Sequence, residues 1–518
     1  MTPKPWFQTT AIDYPNSRPH IGTAFEKLGA DVQARYRRME GHAVTFLMGT
    51  DENTLKVADK AKELGEAPRA YCDRMAGEFR QVWDALDISY DVFVQTSHDR
   101  HKACCTKFIQ RVYDNGHIYK GTYEGWYCPG CEEFKSNKLH AENAGLCPVH
   151  KRPLVHRSEP CWKFRLSAFK DRLLAFLTDN PEFVQPDSRR NEMIGFIEAE
   201  GLDDLNISRQ GETWGIPIPF DPEFTIYVWF DALLTYITGI GYGDDEALFN
   251  SLWPCDVHFI GKDITRFHCH IWPAMCWAAG IAPPKRVFSH GFVTVDGTKM
   301  GKALGNTVEP LAIVAKSSVD MYRYFFLRDC PYPGDGDFSS QRFEEVCNTD
   351  LANKYGNLLS RVVTVAGKSL GGVLPGTAGQ TPDLAAQGID LAAIVAEVRG
   401  HVEACRYHQA LAAVIQKLFD PANKYIEDTK PFTVVKTDPA AAARILFNLT
   451  EPLRAASILL KPFIPRSAEA VYAALSFAKP WAEVRYADAA TPEVPAADLR
   501  VTAPLVDGKP KPLFPRLA

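Results

Sequence analysis

No apolar run in the sequence is long enough to cross a bilayer, and the first residues, MTPKPWFQTTAIDYP, have neither the basic start nor the continuous apolar stretch of a signal peptide. Internal repeats and low-complexity tracts are also missing. The net charge of −5 gives no general attraction to nucleic acid, so any such binding would need local basic patches. We therefore expect a cytoplasmic globular protein with no membrane or DNA partner.

The cysteines point to a metal site. There are 13 of them, scattered along 518 residues, which favours reduced thiols and one metal cluster over a disulfide framework. The stretches YCPGCEEF and GLCPVHKRPL contain C-x2-C and C-x2-H, and two such turns can close a tetrahedral zinc site with no open position. The predicted ligands of this structural zinc are Cys128, Cys131, Cys147 and His150. The alternative is four unrelated residues in a turn-rich segment.

Strand and helix patterns alternate through the first part of the chain. WFQTTAI and AVTFLMGTD have strand character, and HIGTAFEKLGADVQARYRRMEG between them has apolar residues at helical spacing. Residues 119–223 are rich in Gly, Pro, Cys and turn signals, which indicates an insertion, and the alternation resumes over 224–342. The fold class predicted is α/β: a Rossmann-type parallel sheet whose halves, 1–118 and 224–342, are split by a connective insertion with the zinc knuckle.

The last third of the chain has a different character. Long helical patterns such as NTDLANKYGNLLSRVVTVAGKSL fill residues 343–480, which predicts an all-α helical-bundle domain. Residues 481–518 are rich in Pro and Ala, and we expect a tail that is packed on the surface or partly disordered.

Two short stretches are candidates for binding phosphate. Pro19-His20-Ile21-Gly22 lies where the first strand passes to the first helix, so backbone N–H groups and the positive end of the helix dipole meet there. In VDGTKMGKALGN, Lys299 and Lys302 lie on a glycine-rich loop that could close over a triphosphate. Each has an ordinary alternative: His20 as a helix cap, and the lysines as a solvated basic turn.

In this order on a split sheet, HIGT and KMGKA resemble the HIGH and KMSKS signatures of the class I aminoacyl-tRNA synthetases. Thr23, Gly301 and Ala303 depart from the signatures, and we expect a slower or retuned loop rather than an inactive enzyme. ADVQARYRRMEGH, TWGIPIP, YVWFDALLTYI, HFIGKDITRFHCHIWPAM and FVTVDGTKM extend the resemblance, in order, to the methionyl-tRNA synthetase family. The resemblance implies a ligase that activates L-methionine with ATP to methionyl-adenylate and transfers it to the 3′ end of tRNA(Met).

The resemblance also implies roles for individual residues. The catalytic residues would be His20, Lys299 and Lys302. ATP would contact His20, Gly22, Thr23, Gly261, Lys262, Asp263 and Lys302. Methionine would be surrounded by Ile12, Tyr14, Asp51, Trp229, Leu233, Tyr236 and His268, with Asp51 accepting the ammonium group. An apolar and aromatic wall suits a thioether. Without the resemblance, the aromatic residues would be interpreted as core and the GKD stretch as a surface turn. Asp13 departs from the family pattern, in which a small or apolar residue is usual beside Tyr14.

For the helical domain, the resemblance implies anticodon binding. The residues implied are Asn353, Asn357, Arg361, Pro431 and Phe432. Unstacked bases are recognised by stacking and by hydrogen bonds to their edges, and Phe432 can stack but cannot donate as a Trp would. The alternatives are amides that cap helices and a Phe432 in the core. The implied cofactors are one structural Zn²⁺ and Mg²⁺ with ATP. Because the sequence ends soon after the bundle, we expect a monomer.

Three other functions remain open from the sequence. One is a class I synthetase for Leu, Ile, Val or Cys, although the branched substrates usually require an editing insertion, because one methylene discriminates by only about 1–3 kcal/mol. Another is a nucleotidyltransferase that adenylylates a small cofactor, which would leave the helical bundle unexplained. The third is a non-catalytic RNA-binding relative, which the altered HIGT and KMGKA stretches would suit.

Overall fold

The protein is described by a computed structural model that covers residues 3–128, 133–135, 137–148, 150–211, 214–300, 305–506 and 508–517. Across these ranges, none of the helices is both long and apolar enough to traverse a membrane.

A six-stranded parallel sheet forms the centre of the N-terminal part. Its order is Val92–Gln95, Ala43–Thr50, Pro5–Thr10, Val257–Gly261, Val287–His290 and Val184–Gln185. The first strand of the chain pairs in parallel with Ala43–Thr50 on one side and Val257–Gly261 on the other, so the two predicted halves join there. The strand order reverses at this junction, and open parallel sheets bind ligands at the carboxyl edge beside such a point.

Two hydrophobic cores cover the two faces of this sheet. Along Ala43–Thr50, Phe46 and Met48 enter one core and Leu47 the other, as strand alternation requires. The first core includes residues of the helices Ile21–Met39, Leu55–Glu63, Pro68–Ala85, Pro310–Val314 and Val319–Arg328. The second includes residues of Asp99–Asp114, Lys170–Asp179, Asp187–Glu200, Val228–Ala232, Thr235–Thr238, Glu246–Leu252 and Trp272–Ala278.

The predicted insertion combines antiparallel sheet with the helices Asn137–Glu142, Lys170–Asp179 and Asp187–Glu200. One sheet has the order Glu133–Lys135, Ile118–Cys128, Val155–Phe164 and Leu205–Asn206, and a smaller one the order Pro217–Ile218, Asp221–Ile226 and Ser208–Gln210. The short strand Val184–Gln185 differs, because it pairs in parallel with Val287–His290 at the edge of the central sheet. The insertion therefore contributes a strand to the nucleotide fold, which the prediction of one uninterrupted insert omitted.

A small sheet carries the start of the lysine stretch. Val293–Val295 pairs with Thr298–Lys299 in antiparallel fashion and with Gly336–Phe338 in parallel. Asp296 and Gly297 connect the hairpin strands, and both have positive φ, 49° and 72°. Such a tight turn favours Asp-Gly, and it fixes Lys299 on the second strand of the hairpin.

The chain beyond residue 339 is largely helical, as the sequence predicted. The helical segments are Ser340–Val346, the π-helix Cys347–Gly356, Asn357–Leu370, Leu391–Glu403, Tyr407–Val414, the π-helix Ile415–Phe419, Asp420–Thr429, Pro431–Val434, Pro439–Leu460 and Pro465–Ala474. The tail folds back on this region, since Leu499–Arg500 pairs with Val373–Leu374.

The helix Ile21–Met39 joins the sheet to the helical region. Tyr407 donates a hydrogen bond of 2.7 Å to the carbonyl of Gly29. The fully buried Arg323 donates to Asp31 Oδ2 at 2.6 Å and to the carbonyl of Phe463 at 2.7 Å. One helix thus contacts both parts of the molecule.

Candidate active site and anticodon-binding surface

A small cavity of about 30 Å³ lies at the carboxyl edge of the central sheet. Its lining consists of Ala11, Ile12, Tyr14, Asp51, Trp229, Ala232, Leu233, Tyr236, Ile264 and His268. The structure therefore brings all seven residues predicted around methionine to one cavity. The prediction omitted Ala11, Ala232 and Ile264, which are close in sequence to predicted residues and could have been found by following the same segments.

The inner end of the cavity is polar but uncharged. His268 Nδ1 lies 3.0 Å from the carbonyl oxygen of Ile264, which can only accept, so Nδ1 carries the hydrogen. Nε2 must then accept from the Tyr236 hydroxyl at 2.7 Å. Burial lowers the pKa of His268 to about 4, which keeps the imidazole neutral at physiological pH. A neutral pair of this kind suits an uncharged substrate side chain.

Aromatic rings form the outer wall. Trp229 stacks on Phe267 with ring centroids 4.0 Å apart, and Tyr14 meets Trp229 edge to face at 6.3 Å. Tyr14 is 39% exposed, so it lies at the mouth of the cavity. Ring edges and faces give favourable contacts to a polarizable sulfur.

Asp51 is the acidic group of this cavity. It is 3% exposed, and its Oδ1 has no hydrogen-bond partner within the part of the chain that the structure describes. Burial, followed by the charges of Asp231 and Glu52, raises the pKa of Asp51 well above its ordinary value. A cation that bonded to this oxygen would stabilise the ionised form, and a substrate ammonium group has the required charge and donors.

A buried hydrogen-bond network, which was not predicted from the sequence, lies behind Asp51. Asp231 accepts from Asn53 Nδ2 at 2.8 Å and lies 3.0 Å from His101 Nε2. His101 Nδ1 is 2.8 Å from the Thr238 hydroxyl. The available signal was a single Asp inside the apolar run YVWFDALL. The residues come from three separate segments, so the pattern of any one segment could not reveal the network.

Asp13, the departure beside Tyr14, forms a buried ion pair. Lys27 Nζ lies 3.0 Å from Asp13 Oδ2, and the Lys27 side chain is fully buried. The backbone N–H of Asp13 donates to the Gly49 carbonyl at 3.0 Å, and the N–H of Asp51 donates to the Asp13 carbonyl at 2.9 Å. These bonds continue the strand pairing, so the backbone that presents Asp51 is regular in spite of the unusual residue.

His20 caps the helix Ile21–Met39. Its Nδ1 accepts a hydrogen bond of 3.2 Å from the backbone N–H of Thr23. Because Nδ1 is the acceptor, the hydrogen of a neutral ring is on Nε2, which is the donor that a phosphate oxygen needs. The capping alternative is therefore correct, and the cap itself sets the tautomer that phosphate binding would use.

The start of the first helix, at His20 and Gly22, lies against Met300 of the lysine stretch. A Cβ placed on Gly22 would be 3.0 Å from Met300 Cε and 3.1 Å from the His20 ring, so the glycine permits this close approach. Lys299 is exposed at the end of its hairpin strand. Lys302 lies outside the described residues.

Gly261, Lys262 and Asp263 also lie at the carboxyl edge, where Val257–Gly261 ends. Lys262 was predicted to contact ATP, yet its Nζ is 2.7 Å from both carboxylate oxygens of Asp335. The ring of Phe292 lies 4.7 Å from Lys262 Nζ and 5.5 Å from Lys299 Nζ. The two lysines therefore lie on the same side of the cleft, but Lys262 is engaged in an ion pair. Asp263 is exposed.

Three of the four predicted zinc ligands are close together. His150 Nδ1 lies 3.8 Å from Cys128 Sγ and 3.9 Å from Cys147 Sγ. Ligand sulfur and nitrogen atoms on one tetrahedral zinc are about 3.5 Å apart, so the spacing fits that ion. Both cysteines are fully buried. Cys131 lies outside the described residues.

Four of the five predicted anticodon residues, Asn353, Asn357, Arg361 and Phe432, are at least partly exposed on the helical region. Asn353, Asn357 and Arg361 follow at intervals of four residues where the π-helix Cys347–Gly356 continues into Asn357–Leu370. The Arg361 guanidinium carbon is 5.9 Å from the ring centroid of Phe432. Phe432 is 45% exposed, which excludes the alternative of a core residue, whereas Pro431 is buried.

Two family models and several curated methionine–tRNA ligases match this chain. The family described as tRNA synthetases class I (M) matches residues 6–154 and 146–363, and the anticodon binding domain of methionyl tRNA ligase matches residues 374–504. A methionine–tRNA ligase of Caldanaerobacter subterraneus subsp. tengcongensis is 42% identical over 473 residues, which are 90% of this chain and 73% of the relative. One from Thermosynechococcus vestitus is 42% identical over 476 residues, 90% of this chain and 89% of the relative.

Solved structures are similar over nearly the whole chain. The methionyl-tRNA synthetase of Mycobacterium tuberculosis in complex with methionyl-adenylate has a TM-score of 0.88 and 37% identity, and the match covers 99% of this chain and 100% of that one. The apo form of the same protein has a TM-score of 0.81 and 35% identity, with 99% and 98% covered.

Proposed function

Since the chain belongs to the class I tRNA synthetases of the methionine group, we propose that the cleft described above joins methionine to ATP and passes the methionyl group to tRNA. The chain is an aminoacyl-tRNA synthetase, a ligase. The carboxylate of methionine attacks the α-phosphate of ATP, which gives methionyl-adenylate and pyrophosphate. The terminal ribose of tRNA(Met) then takes the methionyl group and AMP leaves. ATP enters with Mg²⁺, whose charge offsets that of the phosphates.

One observation carries the assignment of the phosphate site: Met300 of the lysine stretch packs against Gly22, two residues from the His20 cap. In our proposal His20 Nε2 donates to a phosphate oxygen, and Gly22 and Thr23 allow the nucleotide to approach the helix N-terminus. Lys299 and Lys302 stabilise the charge that develops on the departing pyrophosphate. Gly261 and Asp263 contact the ribose, and Lys262 reaches ATP only by leaving Asp335.

The amino-acid end of the proposed site is the cavity beside Asp51. Among the described residues Asp51 Oδ1 has no hydrogen-bond partner, which supports its role as acceptor of the substrate ammonium. Tyr14 and Trp229 enclose the thioether from outside, and Tyr236 and His268 limit the depth of the cavity. The protein supplies little covalent chemistry of its own, so positioning and electrostatic stabilisation account for the rate.

The insertion and the domain boundaries can also be assigned within this proposal. We propose a structural zinc held by Cys128, Cys131, Cys147 and His150, which orders the insertion. The proposed division is 1–118, 119–223, 224–342, 343–480 and 481–518, with Val184–Gln185 returned to the nucleotide fold.

Anticodon contacts are proposed for Asn353, Asn357, Arg361, Pro431 and Phe432. We also propose that the protein acts as a monomer. A cytoplasmic location belongs to the same proposal, because tRNA is charged for protein synthesis there.

The test is exchange of labelled pyrophosphate into ATP by the full chain, followed by charging of tRNA(Met). We expect exchange with methionine and none above background with Leu, Ile, Val or Cys. Exchange that depended on another amino acid would overturn the substrate assignment. A chain that bound tRNA without any exchange would support the non-catalytic alternative instead.

A further inference from the structure

The end of the tail, residues 511–517, lies along the helix face that carries two of the proposed anticodon residues. Together they enclose a groove of about 500 Å³. The helix contributes Asn353, Asn357 and Ser360 to the lining, and the tail contributes Lys511, Phe514 and Arg516. Nothing in the sequence pattern pointed to the tail as part of an RNA-binding surface.

The tail is anchored on both sides of Arg516. Phe514 is 4% exposed, and a Cβ on Gly356 would lie 3.3 Å from its ring, so the glycine lets this side chain seat against the helix. Asn348 holds the backbone of Leu517 twice: its Nδ2 donates to the Leu517 carbonyl at 2.9 Å, and its Oδ1 accepts from the Leu517 N–H at 2.9 Å. Arg516 therefore has a defined position between two fixed points.

Arg516 contacts a proposed anticodon residue directly. Its Nη2 donates to Asn353 Oδ1 at 2.8 Å. A guanidinium group has donors and no acceptor, so the oxygen of the Asn353 amide must face Arg516. The amide nitrogen, with its two N–H donors, then faces away from the guanidinium and is left for a ligand in the groove.

We propose that Arg516 is a positioning residue for anticodon recognition, which fixes the Asn353 amide so that its N–H donors meet acceptor atoms of an unstacked base. This inference rests on the anticodon role proposed above. Base edges that present a carbonyl oxygen or an unprotonated ring nitrogen fit such a donor pair. Without the guanidinium, the amide can rotate and present either oxygen or nitrogen, so both affinity and discrimination fall.

The first experiment compares Arg516→Ala with Arg500→Ala in the full chain. Arg500 is an exposed arginine of the same tail that does not line the groove, so its variant removes the same charge. We expect kcat/KM for tRNA(Met) to fall about fivefold in Arg516→Ala, mainly through KM for tRNA, as for the loss of one solvent-exposed hydrogen bond. Arg516→Lys should recover part of the loss, because Lys keeps a donor, and Arg500→Ala should stay near wild type.

The second experiment separates positioning from a direct contact with phosphate. We expect Arg516→Ala to cause no further loss once Asn353 is replaced by Ala, because the two residues act through one amide. Asn348→Ala releases the tail at its other anchor and should give the same tRNA-specific loss. Equal losses in Arg516→Ala and Arg500→Ala, or additive losses with Asn353→Ala, would overturn the inference.

The controls keep this result distinct from failure of the proposed function. Pyrophosphate exchange without tRNA should be unchanged in Arg516→Ala and Arg500→Ala, since neither residue lines the methionine cavity. Absence of methionine-dependent exchange in the wild-type chain would contradict the proposed function. Normal exchange with unchanged tRNA kinetics in Arg516→Ala would contradict the positioning role alone.

Discussion

His20 serves the helix and the proposed ligand with different atoms of one ring. Nδ1 accepts from the N–H of Thr23, which caps the helix and leaves the hydrogen on Nε2. His20 can therefore cap the helix and bind phosphate at the same time. A variant that keeps the cap while removing the imidazole can distinguish their contributions.

His20→Asn is that variant, because Asn is among the best N-cap residues. We expect an unchanged melting temperature and a fall of about 100-fold in kcat for methionine-dependent pyrophosphate exchange, as when one preorganised transition-state donor is lost. Calorimetry and the exchange assay measure the two effects separately. An exchange rate within twofold of wild type would show that the ring contributes only its cap.

The buried carboxyl of Asp51 predicts that methionine binding is coupled to the release of a proton. Burial and Asp231 raise its pKa well above the ordinary value, so at a pH between the ordinary and the raised pKa the ligand-free carboxyl is protonated, and an ammonium group that bound it would expel the proton. Methionine affinity should therefore increase as pH rises above about 4, until the raised pKa is passed. Over the same window the Asp51 contribution to folding stability falls with pH, since the unfolded chain loses its proton first.

Calorimetric titration of methionine in buffers of different ionisation enthalpy measures this proton release. We expect release in the wild type and none in Asp51→Asn. Proton uptake on binding, or equal release by both proteins, would contradict the assigned role.

Individual site residues were predictable where they follow strands that the sequence reveals. Ile12, Tyr14 and Asp51 come directly after or at the ends of such strands, and in the structure they line one cavity. Asp231 and His101 were missed because their contact joins positions 130 residues apart, and neither segment shows this alone. The partner of Lys262 was missed for the same reason.

At the scale of elements, the alternation of strand and helix patterns predicted the parallel sheet, and long helical patterns predicted the helical region. The strand Val184–Gln185 was not predicted, because a two-residue strand has no periodicity and only its pairing with Val287–His290 identifies it. The pairing of Leu499–Arg500 with Val373–Leu374 was not predicted for the same reason. Long-range pairing of short segments is a property of the folded chain rather than of local sequence.

The close contact between Gly22 and Met300 predicts that adding a methyl group at Gly22 will impair the proposed ATP site. A Cβ at Gly22 would lie 3.0 Å from Met300 and 3.1 Å from His20, so Gly22→Ala should displace both. We expect kcat/KM for ATP in the exchange assay to fall about tenfold, by analogy with other misplaced catalytic groups.

Gly77→Ala is the matched control for Gly22→Ala. Gly77 also lies in a helix, Pro68–Ala85, but a Cβ there would have no neighbour within 4 Å. This variant should be fully active and slightly more stable, because Ala favours helix by about 1 kcal/mol over Gly. Equal activity of both variants would mean that the Met300 contact is unimportant.

Replacing a cysteine of the proposed zinc site should release the metal, whereas replacing a cysteine outside the site should not. Cys147→Ser should lose the bound zinc, measured as zinc per chain after dialysis, because one of its thiolate ligands is gone. Cys161→Ser is the control, since Cys161 is buried in the adjoining strand Val155–Phe164 and is not part of the cluster. Zinc retained at one ion per chain in Cys147→Ser would contradict the assignment.

At the scale of the whole molecule, Arg323 holds three segments together. It donates to Asp31 in the helix Ile21–Met39, to the carbonyl of Leu86 and to the carbonyl of Phe463 in the helical region. Burial raises the pKa of Asp31, but the charges of Arg35 and Arg323 outweigh it and lower that pKa to about 2. The nucleotide fold and the helical region thus share one buried ionic centre.

Arg323→Ala should lower the free energy of unfolding by about 3 kcal/mol, because it leaves buried partners without their cation. Urea denaturation at pH 7 measures the change. The stability that Asp31 contributes is present above about pH 4 and is lost as pH falls towards 2, so the difference from wild type should narrow over that range. Arg342→Ala, which removes a half-exposed surface pair, should cost under about 1 kcal/mol. A loss no larger than that in Arg323→Ala would refute the structural role.

The helix Ile21–Met39 also constrains how this protein can evolve. Its first turn adjoins the proposed nucleotide site, and its later turns contact the helical region directly at Gly29 and, through Arg323, at Asp31. Few of its positions can therefore change independently. A substitution within it faces selection on reaction rate and on RNA affinity together. Across relatives, compensating changes should therefore cluster on the partners of this helix rather than along the helix itself.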